Sequence, residues 1–133
     1  MADTAPDSLL CNGETNPSDV AATPVPYFSA IYRSIYGEAA ASYYQIQVNV
    51  NSDFSGEHTG DSGKTELGTS CSRNTRCEDI NWGGGLLVED GTKYYWRIRF
   101  WMIADSPDIE TEWSEEEAYF IMKKGAPIIS LIG

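Results

Sequence analysis

Apolar and polar side chains alternate most regularly over Lys93–Met102, where Tyr94, Trp96, Ile98 and Phe100 interleave with Tyr95, Arg97, Arg99 and Trp101. Successive side chains of a strand point to opposite faces, so this period of two predicts a long strand with one dry and one wet face. Residues 42–51 repeat the pattern, with Tyr44, Ile46, Val48 and Val50 set against Gln45, Gln47 and Asn49. Further strands are predicted at 8–11, Tyr27–Tyr32, 64–69, 86–88 and 117–122. Each is bounded by clusters of Gly, Asn, Asp, Ser or Pro.

Between these strands, Pro17, Pro24 and Pro26 interrupt any regular ladder, as suits the edge of a sheet. Residues 52–63 and 70–79 read as polar loops, 89–92 as a turn, and 105–112 as an acidic loop. The one candidate helix, 34–41, is short, holds Gly37 and lacks convincing caps. Short strands without helices predict an all-β fold, a seven-stranded antiparallel two-sheet sandwich. A chain of 133 residues suits one domain. That domain is expected over 1–125, with the apolar segment 126–133 as a linker or an extra strand.

Composition narrows the function classes. Hydrophobic residues make up 41% of the chain, enough to build a core. No apolar run is long enough to cross a bilayer as a helix. Twenty acidic residues against nine basic ones give a net charge of −11. Such a field repels phosphate backbones, so no nucleic-acid partner is expected, and the acidity is read as a solvated surface. Cys71 and Cys77 bracket a short polar loop and are expected to form a disulfide, which leaves Cys11 either buried or paired between chains.

Catalytic and metal chemistry find little support. His58 is the only histidine and sits in a polar loop, so neither a zinc set nor a Ser/His/Asp arrangement can be assembled. The carboxylates Asp105, Asp108, Glu110 and Glu112 lack the pattern of a calcium loop and read as solvated. Gly83-Gly84-Gly85 is followed by neither a helix nor Lys-Ser/Thr, which points to a bulge or a close strand approach, not a phosphate cradle. No metal, no cofactor and no enzymatic activity are expected. The N-terminus has no apolar core of a signal peptide and reads either as an artificially trimmed start or as the edge of a domain cut from a longer chain.

Residues 86–99 read Leu-Leu-Val-Glu-Asp-Gly-Thr-Lys-Tyr-Tyr-Trp-Arg-Ile-Arg. They resemble the corner between the fifth and sixth strands of fibronectin type III domains: a leucine, a turn, Gly-Thr-x-Tyr, then an alternating strand. Tyr94 stands at the position of that family's corner tyrosine. The resemblance implies a ring that fills one end of the core and a hydroxyl that ties the corner backbone. Further pieces occur in order: Tyr-Gln-Ile-Gln-Val at 44–48, Asp61-Ser62-Gly63-Lys64, Tyr-Tyr-Trp-Arg-Ile-Arg at 94–99, and Trp113-Ser114 followed by Phe120. Together they resemble bacterial fibronectin-like modules attached to glycoside hydrolases, such as those preceding α-L-rhamnosidase catalytic domains. Three departures stand out. Ala30 takes a place where an aromatic is common, so Trp82 or Trp96 is expected to fill the core there. Gly60 replaces a usual Trp, and the 71–77 loop is additional.

The resemblance implies a fibronectin type III or immunoglobulin-like sandwich. It further implies a non-catalytic extracellular or cell-surface module: a spacer, adhesion or carbohydrate-associated accessory domain of a larger protein. Its partners would be neighbouring domains of the same chain, other protein subunits, or a glycan. The alternative is a structural subunit of a filament, phage particle or surface assembly, joined through 126–133 as an added strand. Tyr95, Arg97, Arg99, Trp101 and Trp113 are the candidate ligand-binding residues, because aromatic rings stack on the apolar faces of sugars while amides and guanidiniums bond their hydroxyls. The same residues can instead form a ladder in which arginines interleave with Trp113 by cation–π contact. Both readings stand at this point.

Overall fold

The structure, a computed structural model, describes residues 3–35, 40–102 and 109–125. No helix occurs among them. Ten strands do: β1 (Asp7–Cys11), β2 (Tyr27–Tyr32), β3 (Ala41–Asn49), β4 (Gly60–Asp61), β5 (Thr65–Cys71), β6 (Thr75–Arg76), β7 (Ile80–Asn81), β8 (Lys93–Met102), β9 (Ile109–Glu110) and β10 (Ala118–Ile121). They form two sheets. In the first, β2 lies between β1 on one side and β6 and β7 on the other. In the second the order is β10-β8-β3-β4, with β5 also on β3 and β9 on β8. All strand pairs are antiparallel. The architecture is that of a β-sandwich.

The core follows from the period of two. Tyr94, Trp96, Ile98 and Phe100 of β8 and Ile46 and Val48 of β3 are buried, as are Phe28, Ala30 and Tyr32 of β2 opposite. Phe28 is the hub of the aromatic packing. Its ring centroid lies 4.6 Å from that of Trp96, 5.8 Å from Trp82 and 5.7 Å from Phe120. Burying one such ring stabilises the fold by about 1.5–3 kcal/mol. Both tryptophans expected to fill the core are therefore inside it.

The expectation of seven strands needs correcting in two ways. Residues 86–88 form no strand. Leu87 is buried while Leu86 is 82% exposed and Val88 48% exposed, so the segment inserts a single apolar plug. The strands that pair with β2 on that side are β6 and β7, each two residues long. In β3 the alternation stops early. Asn49 is fully buried and Val50, expected inward, is half exposed, because the strand ends at Asn49 and the chain turns.

The glycines at 83–85 make a close approach. A Cβ on Gly60 would lie 2.4 Å from the Gly84 carbonyl oxygen and 2.5 Å from the Trp82 ring. The Trp82 indole N–H donates to the Gly85 carbonyl at 2.8 Å. The bulk that a Trp would supply at position 60 is thus supplied by Trp82. The candidate helix at 34–41, the carboxylates Asp105 and Asp108, and the segment 126–133 fall wholly or partly outside the described residues.

Candidate functional site

The wet face of the second sheet collects four of the five candidate residues, and register explains why. Antiparallel pairing sets Tyr43 against Trp101, Gln45 against Arg99, Gln47 against Arg97 and Asn49 against Tyr95. Opposed side chains on one face are close enough to bond. Gln45 Oε1 accepts from Arg99 Nε and Nη2 at 3.0 and 2.8 Å. Gln47 Oε1 accepts from Arg97 Nε and Nη2 at 2.9 and 2.7 Å.

Each amide then passes its polarity onward. Gln45 Nε2 donates to Asp61 Oδ1 at 2.8 Å and Gln47 Nε2 to Asp61 Oδ2 at 2.9 Å. One carboxylate on β4 therefore orients two amides, which orient two guanidiniums. Burial pushes the Asp61 carboxyl up, but the bonds from Gln45, Gln47 and the Gly63 N–H outweigh it and hold the group below the ordinary aspartate value. Burial, with Arg99 nearby, lowers Arg97 from its ordinary value.

The rings interleave with these cations. Arg97 lies 4.4 Å from the Phe54 centroid and 4.4 Å from that of Trp113. Arg99 lies 4.4 Å from Trp113 and 5.0 Å from Trp101. Lys64 Nζ extends the column, 5.1 Å from Trp101 and 5.0 Å from Tyr43. At the other end Lys93 Nζ sits 3.9 Å from Tyr119 and 5.1 Å from Tyr95. Trp101 belongs to the expected face but is 8% exposed, because it lies beneath these cations rather than open to solvent.

Trp113 reaches the column because of its neighbours. Phe100 N–H donates to Thr111 Oγ1 at 3.0 Å and Ile98 N–H to Ser114 Oγ at 3.0 Å, while the backbone amides of Thr111 and Ser114 donate to the carbonyls of Phe100 and Ile98 at 2.9 Å. Two hydroxyls thereby replace two strand carbonyls along β8, and the side chain between them turns over the sheet.

The loop after β3 folds back over the same face. Buried Asn49 holds it: Nδ2 lies 3.2 Å from the Ser55 carbonyl and 3.1 Å from His58 Nδ1, and Oδ1 accepts from Asn51 N–H at 2.8 Å. His58, expected to be solvated, is half buried as part of this arrangement. Phe54 arrives over Arg97 by this route, and nothing in the strand pattern announces it. Gln45 and Gln47, spaced like Arg97 and Arg99, were the visible trace of the relay; Asp61 was not.

At the corner, Tyr94 is buried with its ring 5.6 Å from Phe120. There Asp90 Oδ1 accepts from the Thr92 N–H at 3.1 Å and from the Thr92 hydroxyl, the Asp90 N–H donates to the Val88 carbonyl at 3.0 Å, and the Met122 N–H donates to the Thr92 carbonyl at 2.9 Å. None of these bonds involves the Tyr94 hydroxyl expected to tie the corner. Cys71 and Cys77 are joined in a disulfide, and Cys11 is free and buried, with burial pushing its thiol up to about 12. Among the described residues no group of three His, Cys, Asp or Glu could hold a metal ion.

The column uses both guanidiniums for stacking and two nitrogens of each for the glutamines. A sugar stacked on Trp113 would have to displace an arginine. What stays open is a cleft of about 340 Å³ beside the column, between the Phe54 loop and residues 114–118, with Tyr95 and Arg97 as its floor.

No family model matches the chain, and no curated protein matches it. Solved structures do. The α-L-rhamnosidase of Dictyoglumus thermophilum superposes with a TM-score of 0.69 at 25% identity, over 91% of this chain and 12% of that one. The α-L-rhamnosidase of Streptomyces avermitilis, solved in complex with L-rhamnose, gives a TM-score of 0.69 at 23% identity, over 90% of this chain and 10% of that one. The chain is thus similar, over nearly its whole length, to a small part of much larger rhamnosidase chains.

Proposed function

We propose that this chain is a non-catalytic accessory module of a larger secreted or surface-exposed carbohydrate-active protein, with a sandwich of the fibronectin type III kind. The observation that carries the reading is the coverage: nearly all of this chain corresponds to only about a tenth of each rhamnosidase. The fibronectin type III assignment is supported by the sheet order, with β8 between β10 and β3, and by the Gly91-Thr92-Lys93-Tyr94 corner. The disulfide supports an oxidising, extracellular setting.

In this role the charged face is a brace. Asp61 and the glutamines tie down two nitrogens of each arginine, which stiffens the sheet and suits a spacer that positions neighbouring domains. The test is turnover of an aryl α-L-rhamnoside by the purified chain. The expected result is a rate equal to the buffer blank. Hydrolysis above the blank that survives further purification would overturn the reading.

A further inference from the structure

The cleft beside the arginine column has the chemistry of a ligand site. Its volume of about 340 Å³ falls at the lower end of the range for small-molecule sites, roughly 300–1,000 Å³. The floor combines the half-buried Tyr95 and the Arg97 guanidinium. One wall is Asp53 and Phe54; the other carries Glu115 and Glu117. Gln47 and the stacked rings hold Arg97 through Nε, Nη2 and both faces. Its Nη1 takes no part in those bonds and remains as a fixed donor.

The charges select among ligands. Among the described residues, four carboxylates line the cleft, Asp53, Glu115, Glu116 and Glu117, against one cation, Arg97. Glu116 and Asp53 are each partly committed, since Glu116 Oε1 accepts from the Leu9 N–H at 2.5 Å and Asp53 Oδ1 from the Ser55 N–H at 3.0 Å. An anionic ligand meets a repulsive field. A neutral polyhydroxylated ring meets acceptors for its hydroxyl protons on both walls, a donor in Arg97 Nη1, and ring carbon in Tyr95 and Phe54 for its apolar face. The rings and the held arginine, more than the acidic rim, make the match specific.

We infer that this cleft binds a neutral pyranose, as a sugar-recognition site of the accessory module. The inference rests on the accessory reading for its biological sense, while its geometry is independent of it. It also moves the contact away from Arg99, Trp101 and Trp113, which the column consumes, to Tyr95, Arg97, Asp53, Phe54, Glu115 and Glu117.

The experiment is an NMR titration of the ¹⁵N-labelled chain with methyl glycosides of neutral hexoses and 6-deoxyhexoses, of an amino sugar and of a uronic acid. The expected result is saturable shifts of the Tyr95 amide and the Arg97 Nε–H with a neutral pyranoside, and none with the uronate. Asp53→Ala and Glu117→Ala should each weaken that binding at least tenfold. Glu66→Gln, on β5, should leave it unchanged. No shift with any neutral pyranoside overturns the inference, as does binding confined to the amino sugar, or affinity unaltered in both cleft variants. Such a failure leaves the accessory reading in place, whereas rhamnoside turnover by the chain would sink that reading without bearing on the titration.

Discussion

The indole of Trp113 lies between Arg97 and Arg99, its ring centroid 4.4 Å from each guanidinium carbon. The two arginines are one strand period apart, about 6.4–6.8 Å, which leaves room for a single aromatic plane between them. Replacing Trp113 by Ala removes both stacks and uncovers two cations held by glutamines. We expect a loss of about 2 kcal/mol in urea-induced unfolding, against about 1 kcal/mol for Phe54→Ala, which ends the column and stacks on one arginine instead of two. Equal losses at the two sites would show that the second stack on Trp113 adds nothing.

Asp61 links the glutamines to acid stability. Its folded-state pKa is depressed, so it adds stability above the unfolded value of about 3.9, and that contribution is lost as pH falls through the folded value. The wild-type urea midpoint should therefore drop more steeply below pH 4 than that of Asp61→Asn. At neutral pH the same variant should already be weakened, because its amide turns a donor toward the donors of Gln45 or Gln47.

Gly60 is required by the approach of another backbone. Gly60→Ala places a carbon 2.4 Å from the Gly84 carbonyl oxygen and should cost about 2–4 kcal/mol, read as a fall in the thermal midpoint. Adding Trp82→Phe relieves only the ring contact, so it should not restore the midpoint.

Cysteine chemistry gives a separate check. The Cys71–Cys77 bond closes a loop with a sequence separation of 6 and should contribute about 2 kcal/mol, lost in Cys71→Ala/Cys77→Ala. Cys11 is 1% exposed and its thiol is pushed up to about 12. An aromatic disulfide reagent at pH 8 should label no thiol in the native oxidised chain and one per chain in denaturant.

The sheets were legible where side chains alternate over a long run. Tyr27–Tyr32 and Lys93–Met102 have the predicted bounds because each buries one face along its whole length. Strands β4, β6, β7 and β9 are two residues long and carry no period to read. Residues 86–88 misled because three apolar residues in a row look like a strand, yet only Leu87 is buried. The candidate stripe of Tyr95, Arg97, Arg99 and Trp101 was correctly placed on one face, and its opposed glutamines were visible. Asp61 and Phe54 were not, since each reaches that face from a loop or a short strand whose path depends on Asn49 and on register with β3.

The N-terminal segment runs parallel to the last strand. Val20 pairs with Met122 in a parallel bridge, the Val20 N–H donates to the Ile121 carbonyl, the Ile121 N–H to Pro17, and the Lys123 N–H to Val20. Asp3 bridges Thr111 in the same sense. Tension applied at opposite ends of a domain wired this way pulls those bonds sideways past one another, so they must fail as a group and not one after another. The force at which the fold lengthens is thus set by that clasp.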